Sequence, residues 1–182
     1  MHETEGMADK LITGGEDAFD VLIVALMLEK GAVEFYTKAQ NLAKDEKAAQ
    51  VFQRLAAVED THLQKLYTRY SQLLWEMKSL LGADEEIPSL DQLKAELSTV
   101  YMEGGMKIKE KLIKIEDMEF RGDLEALEIG LKNEYTSYDF YKRVEETVED
   151  PKTRNLLHEL AGEEEGHINF LLREIEERDG NA

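Results

Sequence analysis

Four short stretches of this chain recur as two matched pairs, and the recurrence limits what it can fold into. Glu29 is followed seven residues later by Tyr36, and Glu134 by Tyr141 at the same spacing. A Glu-x-x-His comes next in each case, Glu59 with His62 and Glu164 with His167. Every member of the second set lies 105 residues after its counterpart, and Phe35, Asp45, Leu55 and Ala56 map in the same way onto Phe140, Asp150, Leu160 and Ala161. The register holds without a gap from about Glu29 to about Leu66. Such a repeat reads as a helix pair used twice, with its two halves meeting at a shared two-metal centre.

The periodicity around these residues is helical. Phe19, Leu22, Leu26, Glu29, Val33 and Tyr36 recur at alternating steps of three and four, the spacing of a bundle's inner face. Thr13 and Glu16 predict a capping box that opens this first helix, which runs to about Ala43. Asp45 predicts the cap of a second helix reaching Leu81, stopped by Gly82, with Phe52, Leu55, Glu59, His62 and Leu66 on its inner stripe. A third helix is expected from Asp123 to about Val148 (Leu124, Leu127, Leu131, Glu134, Tyr138, Tyr141). A fourth opens at Asp150-Pro151, an N-cap followed by proline at the first helical position, and frays near Asp179-Gly180 (Leu157, Leu160, Glu164, His167, Leu171).

These elements predict an all-α, antiparallel four-helix bundle in one domain over residues 1–182. Residues 12–82 form the first helix pair, 83–122 a long, partly helical crossover, and 123–179 the second pair. Within the crossover, Ser89 and Gln92 predict a capping box for a short helix to about Thr99, Gly104-Gly105 a break, and Ile108, Leu112 and Ile115 a further helix. The far end of the second helix carries Leu73, Leu74, Trp75, Leu80 and Leu81, which need covering, so a homodimer or small oligomer built there is expected.

Composition removes several classes of function. The chain has 182 residues, enough for one sizeable core. It has no cysteine, which excludes disulfides, thiol catalysis and Cys-ligated iron or zinc, and suits a reducing cytoplasm. A net charge of −18 with no basic patch argues against nucleic acid and anionic membranes and favours cations. The acidic N-terminus does not read as a signal peptide, and the apolar run from Val21 to Leu28 is too short to span a bilayer.

Each stripe is apolar except where it meets the repeated pattern. Glu29, Glu59, Glu134 and Glu164 therefore fall on core-facing positions, where isolated carboxylates are costly and repel one another. Two divalent cations balance four carboxylates. Glu and His three residues apart share one helical face, and a donor set of carboxylate and neutral imidazole suits iron, manganese or zinc. One Glu from each of two helices plus Glu-x-x-His from each of the others matches the di-metal arrangement of ferritin-like bundles. In it Glu29 and Glu134 are terminal ligands, Glu59 and Glu164 bridge, and His62 and His167 give one nitrogen to each ion. Tyr36 and Tyr141 either fill the core with satisfied hydroxyls or hydrogen-bond a ligand carboxylate. His2 reads as a tail residue, and His158 as a surface residue or an outer partner of the site.

The stretch Leu28-Glu29-Lys30-Gly31-Ala32-Val33-Glu34-Phe35-Tyr36, then Glu59-Asp60-Thr61-His62 and the second copy, resembles the rubrerythrin family within the ferritin-like superfamily. The resemblance covers the four main helices. It implies a di-iron site that reduces hydrogen peroxide to water with electrons from an external donor, for which a rubredoxin-type protein is the candidate. Rubrerythrins proper carry a Cys₄ iron domain and an extra Glu three residues beyond the third-helix ligand. This chain has no cysteine, and Ser137 at that position, which leaves a symmetric set of six ligands shared with bacterioferritins. Bacterioferritins place a haem-ligating Met after the first bridging Glu, where Asp60 stands here. The leading expectation is a di-iron oxidoreductase acting on peroxide or O₂. Its rivals are an Fe²⁺-binding ferroxidase for capture, storage or delivery, a metal-stabilised structural or interaction bundle holding zinc, and, less favoured, a manganese catalase.

Overall fold

The computed structural model describes residues 18–81, 86–104 and 122–179. These form five helices: α1 (Ala18–Leu42), α2 (Glu46–Leu81), α3 (Leu90–Gly104), α4 (Asp123–Thr147) and α5 (Pro151–Asp179). No strand occurs among the described residues, and the fold is the expected all-α bundle. The connection over residues 43–45 turns α2 back along α1, and that over 148–150 turns α5 back along α4. Each hairpin packs chiefly within itself, and the two hairpins meet along α1 with α4 and α2 with α5.

Local chemistry sets the starts of the helices. The Asp45 carboxylate accepts from the backbone N–H groups of Lys47 (3.0 Å) and Ala48 (3.2 Å), and that of Asp150 accepts from Thr153 N–H (2.6 Å). Caps of this kind are worth ~1 kcal/mol each. Each also receives an arginine from a distant turn: Arg178 reaches Asp45 (3.3 Å), and Arg69, itself 4% exposed, reaches Asp150 (2.9 Å). Asp123 accepts from the N–H groups of Lys44 (2.9 Å) and Asp45 (3.0 Å), tying the start of α4 to the first turn between helices.

The Ser89–Gln92 box is reciprocal. Ser89 N–H donates to Gln92 Oε1 (2.7 Å), and Gln92 N–H to Ser89 Oγ (3.3 Å). α3 continues past the expected stop near Thr99 to Gly104, and its Leu93 and Leu97 enter the core. No helix breaker stands between Thr99 and the glycine pair, so nothing local ends the helix sooner. The Thr13–Glu16 box, the stop at Gly82, and the helix around Ile108, Leu112 and Ile115 lie outside the described residues.

The core falls into two apolar clusters that exchange under the repeat. One holds Leu22, Leu66, Phe140, Tyr141, Leu157 and Leu160; the other holds their counterparts Leu127, Leu171, Phe35, Tyr36, Phe52 and Leu55. Each of the four main helices passes from one cluster to the other, and its repeated Glu lies at the crossing. α4 turns slightly from the expected face. Gly130 and Ser137 are buried, whereas Leu131 and Tyr138 are half-buried.

α2 has 36 residues. At ~1.5 Å per residue it is about 54 Å long. On its far part, Leu73 packs against the first cluster, but Trp75 and Leu80 are 63% and 87% exposed among the described residues. No described helix is long and apolar enough to cross a membrane.

Candidate metal centre

The bundle brings all six repeated Glu and His side chains to one layer between the clusters. α1 contributes Glu29, α2 Glu59 and His62, α4 Glu134, and α5 Glu164 and His167. They fall into two overlapping sets, Glu29, Glu59, His62 and Glu164, and Glu59, Glu134, Glu164 and His167. In each set the ligand atoms lie within 4.8 Å of one another. Glu59 and Glu164 belong to both. The four carboxylates and His62 are at most 2% exposed, while the His167 side chain is 13% exposed.

The imidazoles face the carboxylates through Nδ1. His62 Nδ1 lies 3.0 Å from Glu59 and 3.3 Å from Glu164; His167 Nδ1 lies 3.0 Å from Glu59, 3.1 Å from Glu134 and 3.2 Å from Glu164. The two rings stack at 5.4 Å between centroids.

Proton affinities are divided accordingly. Burial, reinforced by the Glu59 charge, raises the Glu29 carboxyl well above its usual range, and burial with the Glu164 contact does the same to Glu134. Burial pushes the shared pair upward too, but the nearby imidazoles, and for Glu164 a contact with Glu134, outweigh it and hold both low. Burial lowers the imidazoles, yet their carboxylate contacts win: His62 is strongly raised and His167 is pushed up to about 12. These shifts favour protons on Glu29, Glu134 and the two imidazoles, which would balance the charges of Glu59 and Glu164.

Glu29 Oε2, both carboxylate oxygens of Glu59, Glu164 Oε1 and both ring nitrogens of His62 are buried without an aligned hydrogen-bond partner. Buried orphans cost ~1–3 kcal/mol each. Carboxylate oxygens and imidazole nitrogens converging this way fit divalent metal ions.

Tyrosines cross-link the halves. The Tyr36 hydroxyl donates to Glu134 Oε1, and the Tyr141 hydroxyl to Glu29 Oε1, so each half's tyrosine holds the other half's lone Glu. Both rings are fully buried, and burial together with the facing carboxylate charge raises both phenols, keeping them protonated donors. His158 stands apart, its side chain 76% exposed and 3.3 Å from Glu145, and His2 lies outside the described residues.

A family model described as rubrerythrin matches residues 20–175, which span the four main helices and the whole cluster. The chain belongs to the rubrerythrin family. None of the curated proteins matches it. Two solved structures are similar in fold. One is a two-domain protein from Anabaena variabilis containing DJ-1/ThiJ/PfpI-like and ferritin-like domains, with TM-score 0.65 and 15% identity over 88% of this chain and 39% of that one. The other is a hypothetical protein from Pyrococcus furiosus, with TM-score 0.59 and 23% identity over 94% of this chain and 92% of that one. This rubrerythrin-family chain thus spans 39% of the length of the Anabaena protein.

Two residues of this rubrerythrin-family site escaped the reading of the sequence. One is Glu163, whose Oε2 lies 2.6 Å from His62 Nε2. The repeat held a signal for it, since position 163 is acidic where its counterpart is Val58. The other is Gly130. A Cβ there would lie 3.0 Å from Tyr36 Cε1 and 3.1 Å from its hydroxyl. Tyr36 is held between Phe35 and Phe52 and has little room to yield. Gly130→Ala should therefore push the hydroxyl off Glu134. Overpacking costs ~1–3 kcal/mol, offset by the ~1 kcal/mol that alanine adds to a helix, leaving a net loss of up to about 2 kcal/mol. Thermal melting reads it; a rise in Tm would show that Tyr36 moves aside freely.

Proposed function

We propose that this protein is a di-iron oxidoreductase that reduces hydrogen peroxide with electrons from an external donor. The observation that carries the reading is the pair of overlapping ligand sets that share Glu59 and Glu164, within a rubrerythrin-family chain. In this reading Glu59 and Glu164 would be shared by two ions, Glu29 and His62 would complete one position, and Glu134 and His167 the other. The group held there would be an iron pair, and it would supply the two electrons that, with two protons, convert hydrogen peroxide to two waters.

The chain's own side chains do the rest. Tyr36 and Tyr141 orient the terminal carboxylates and hold a proton on each hydroxyl beside them. The two apolar clusters on either side exclude bulk water and keep the carboxylates directed at cations. The partial exposure of His167 supports entry of a small oxidant on that side. An external electron donor such as a rubredoxin-type protein restores the reduced state, because the chain given has no cysteine with which to hold an iron–sulfur centre.

Anaerobic loading with Fe²⁺, followed by rapid mixing with hydrogen peroxide or with O₂, tests the assignment. The expected result is faster oxidation by peroxide, with two irons per chain and no build-up beyond them. Faster reaction with O₂ and uptake of many irons would identify a ferroxidase instead. Protein that retains only redox-inert zinc would point to a structural bundle.

A further inference from the structure

The two half-sites come from one repeated unit, so the positions at which the copies differ show where they have become unequal. Three pairs of positions on α2 and α5 flank the histidines, each pair 105 apart: Arg54 and Glu159, Val58 and Glu163, Lys65 and Phe170. On the His62 side these positions build a polar brace. Glu163 Oε2 stands 2.6 Å from His62 Nε2, and Glu163 Oε1 receives Lys65 Nζ at 2.8 Å. Lys65 also holds Glu159 at 2.7 Å. On the His167 side the corresponding residues give a different contact, the Arg54 guanidinium 5.1 Å from the centre of the Phe170 ring. Val58 occupies the place where a second carboxylate would stand. The contacts of His167 with carboxylates run through Nδ1, on the metal side. Burial differs in the same sense, His62 being fully buried and the His167 side chain 13% exposed.

We propose that Glu163 is a positioning residue for His62, and that it makes the half-site of Glu29 and His62 the tighter of the two, filled before the half-site of Glu134 and His167. The inference rests on the reading of the six residues as a two-ion centre. A carboxylate at the outer nitrogen of a ligating histidine fixes the tautomer and the ring, and makes the inner nitrogen a stronger donor to metal. Lys65 pins the far oxygen of Glu163, so the carboxylate is held at the ring instead of turning into solvent. The Nε2–Oε2 approach is short but not aligned as a hydrogen bond, so Glu163 acts on the ring through the closeness of its charge. Loss of such an outer partner typically weakens metal binding by about 10–100-fold.

Calorimetric titration of the metal-free full chain with Zn²⁺ tests this. The native protein is expected to bind two ions in separable steps. Glu163→Ala should weaken the tighter step by about 10–100-fold and leave the other in place. Glu163→Gln, which keeps an acceptor without the charge, should fall between. Loss of charge alone would act on both ions, so the deciding comparison uses histidine variants. Glu163→Ala should weaken the single step that remains in His167→Ala and have no effect on the step that remains in His62→Ala. Two ions bound with both steps unchanged by Glu163→Ala, both steps weakened equally, or the same loss in the His62→Ala background would each overturn the inference while leaving the two-ion reading intact. Failure of the native chain to bind two ions would overturn both. The Glu163 side chain is 37% exposed, so these variants retain the fold, as circular dichroism would verify.

Discussion

Binding of two divalent ions to the metal-free protein should release up to four protons, one each from Glu29, Glu134, His62 and His167. All four hold protons more strongly than usual in the folded chain, and all four must give them up to act as ligands. At two protons per ion, affinity should rise by about 100-fold for each unit of pH through the range where these groups stay protonated. Titration in buffers of different ionisation enthalpy reads the release directly. Binding with no proton release would mean that the ligands are already bare, and that the buried cluster is solvated. Stability should follow the same exchange. Raised carboxyls on Glu29 and Glu134 make the metal-free fold lose stability as pH climbs above the ordinary Glu value of ~4.3. The raised imidazoles stabilise fully below their unfolded value of ~6.5, and that contribution fades toward the folded value, about 12 for His167. Metal-bound protein runs the opposite way and loses stability as acid displaces the ions. The two forms should therefore converge in mild acid and separate at neutral pH, by ~4 kcal/mol at a thousandfold excess of free metal over Kd. Equal melting at neutral pH would refute a core metal site.

The second large effect concerns the shared carboxylates. Glu59→Ala should empty both positions, because Glu59 stands in both ligand sets, whereas His62→Ala should deplete only one. The loss at each position should exceed the ~10–100-fold that removal of an outer partner costs, since a direct ligand is gone. The variant should still fold, because the change removes one of four mutually repelling buried carboxylates and leaves both apolar clusters whole. Metal analysis after equilibrium dialysis against Zn²⁺ gives the stoichiometry. One ion retained tightly by Glu59→Ala would show that Glu59 serves a single position and that the two sets do not share it.

Most of the cluster was legible because its information is local and doubled. Each Glu-x-x-His sits on one helix face, and the offset of 105 identifies its partner without any knowledge of the packing. The caps at Asp45, Ser89 and Asp150 were legible for the same reason, since a cap involves only neighbours within one turn. What could not be read depends on contacts between helices. Glu163 is one acidic residue in the run Glu163-Glu164-Glu165, and its meaning depends on α2 crossing α5 at His62. Gly130 reads as a weak spot in a helix until the Tyr36 ring is found against it. The tyrosines were readable as candidates but not in their pairing, because the spacing from Glu29 to Tyr36 suggests a partner in the same half and the hydroxyl instead meets Glu134.

The crossed tyrosines give the chain the internal form of an isologous dimer, in which a residue of one unit touches its partner's equivalent and is touched in return. In a true homodimer every substitution appears twice, so the two positions of a central ion pair stay identical. A fused chain escapes that constraint. One copy can carry Val58 and the other Glu163, so the internal symmetry holds at the tyrosines and the shared carboxylates, where both halves meet, and is broken at the rim, where each half can specialise.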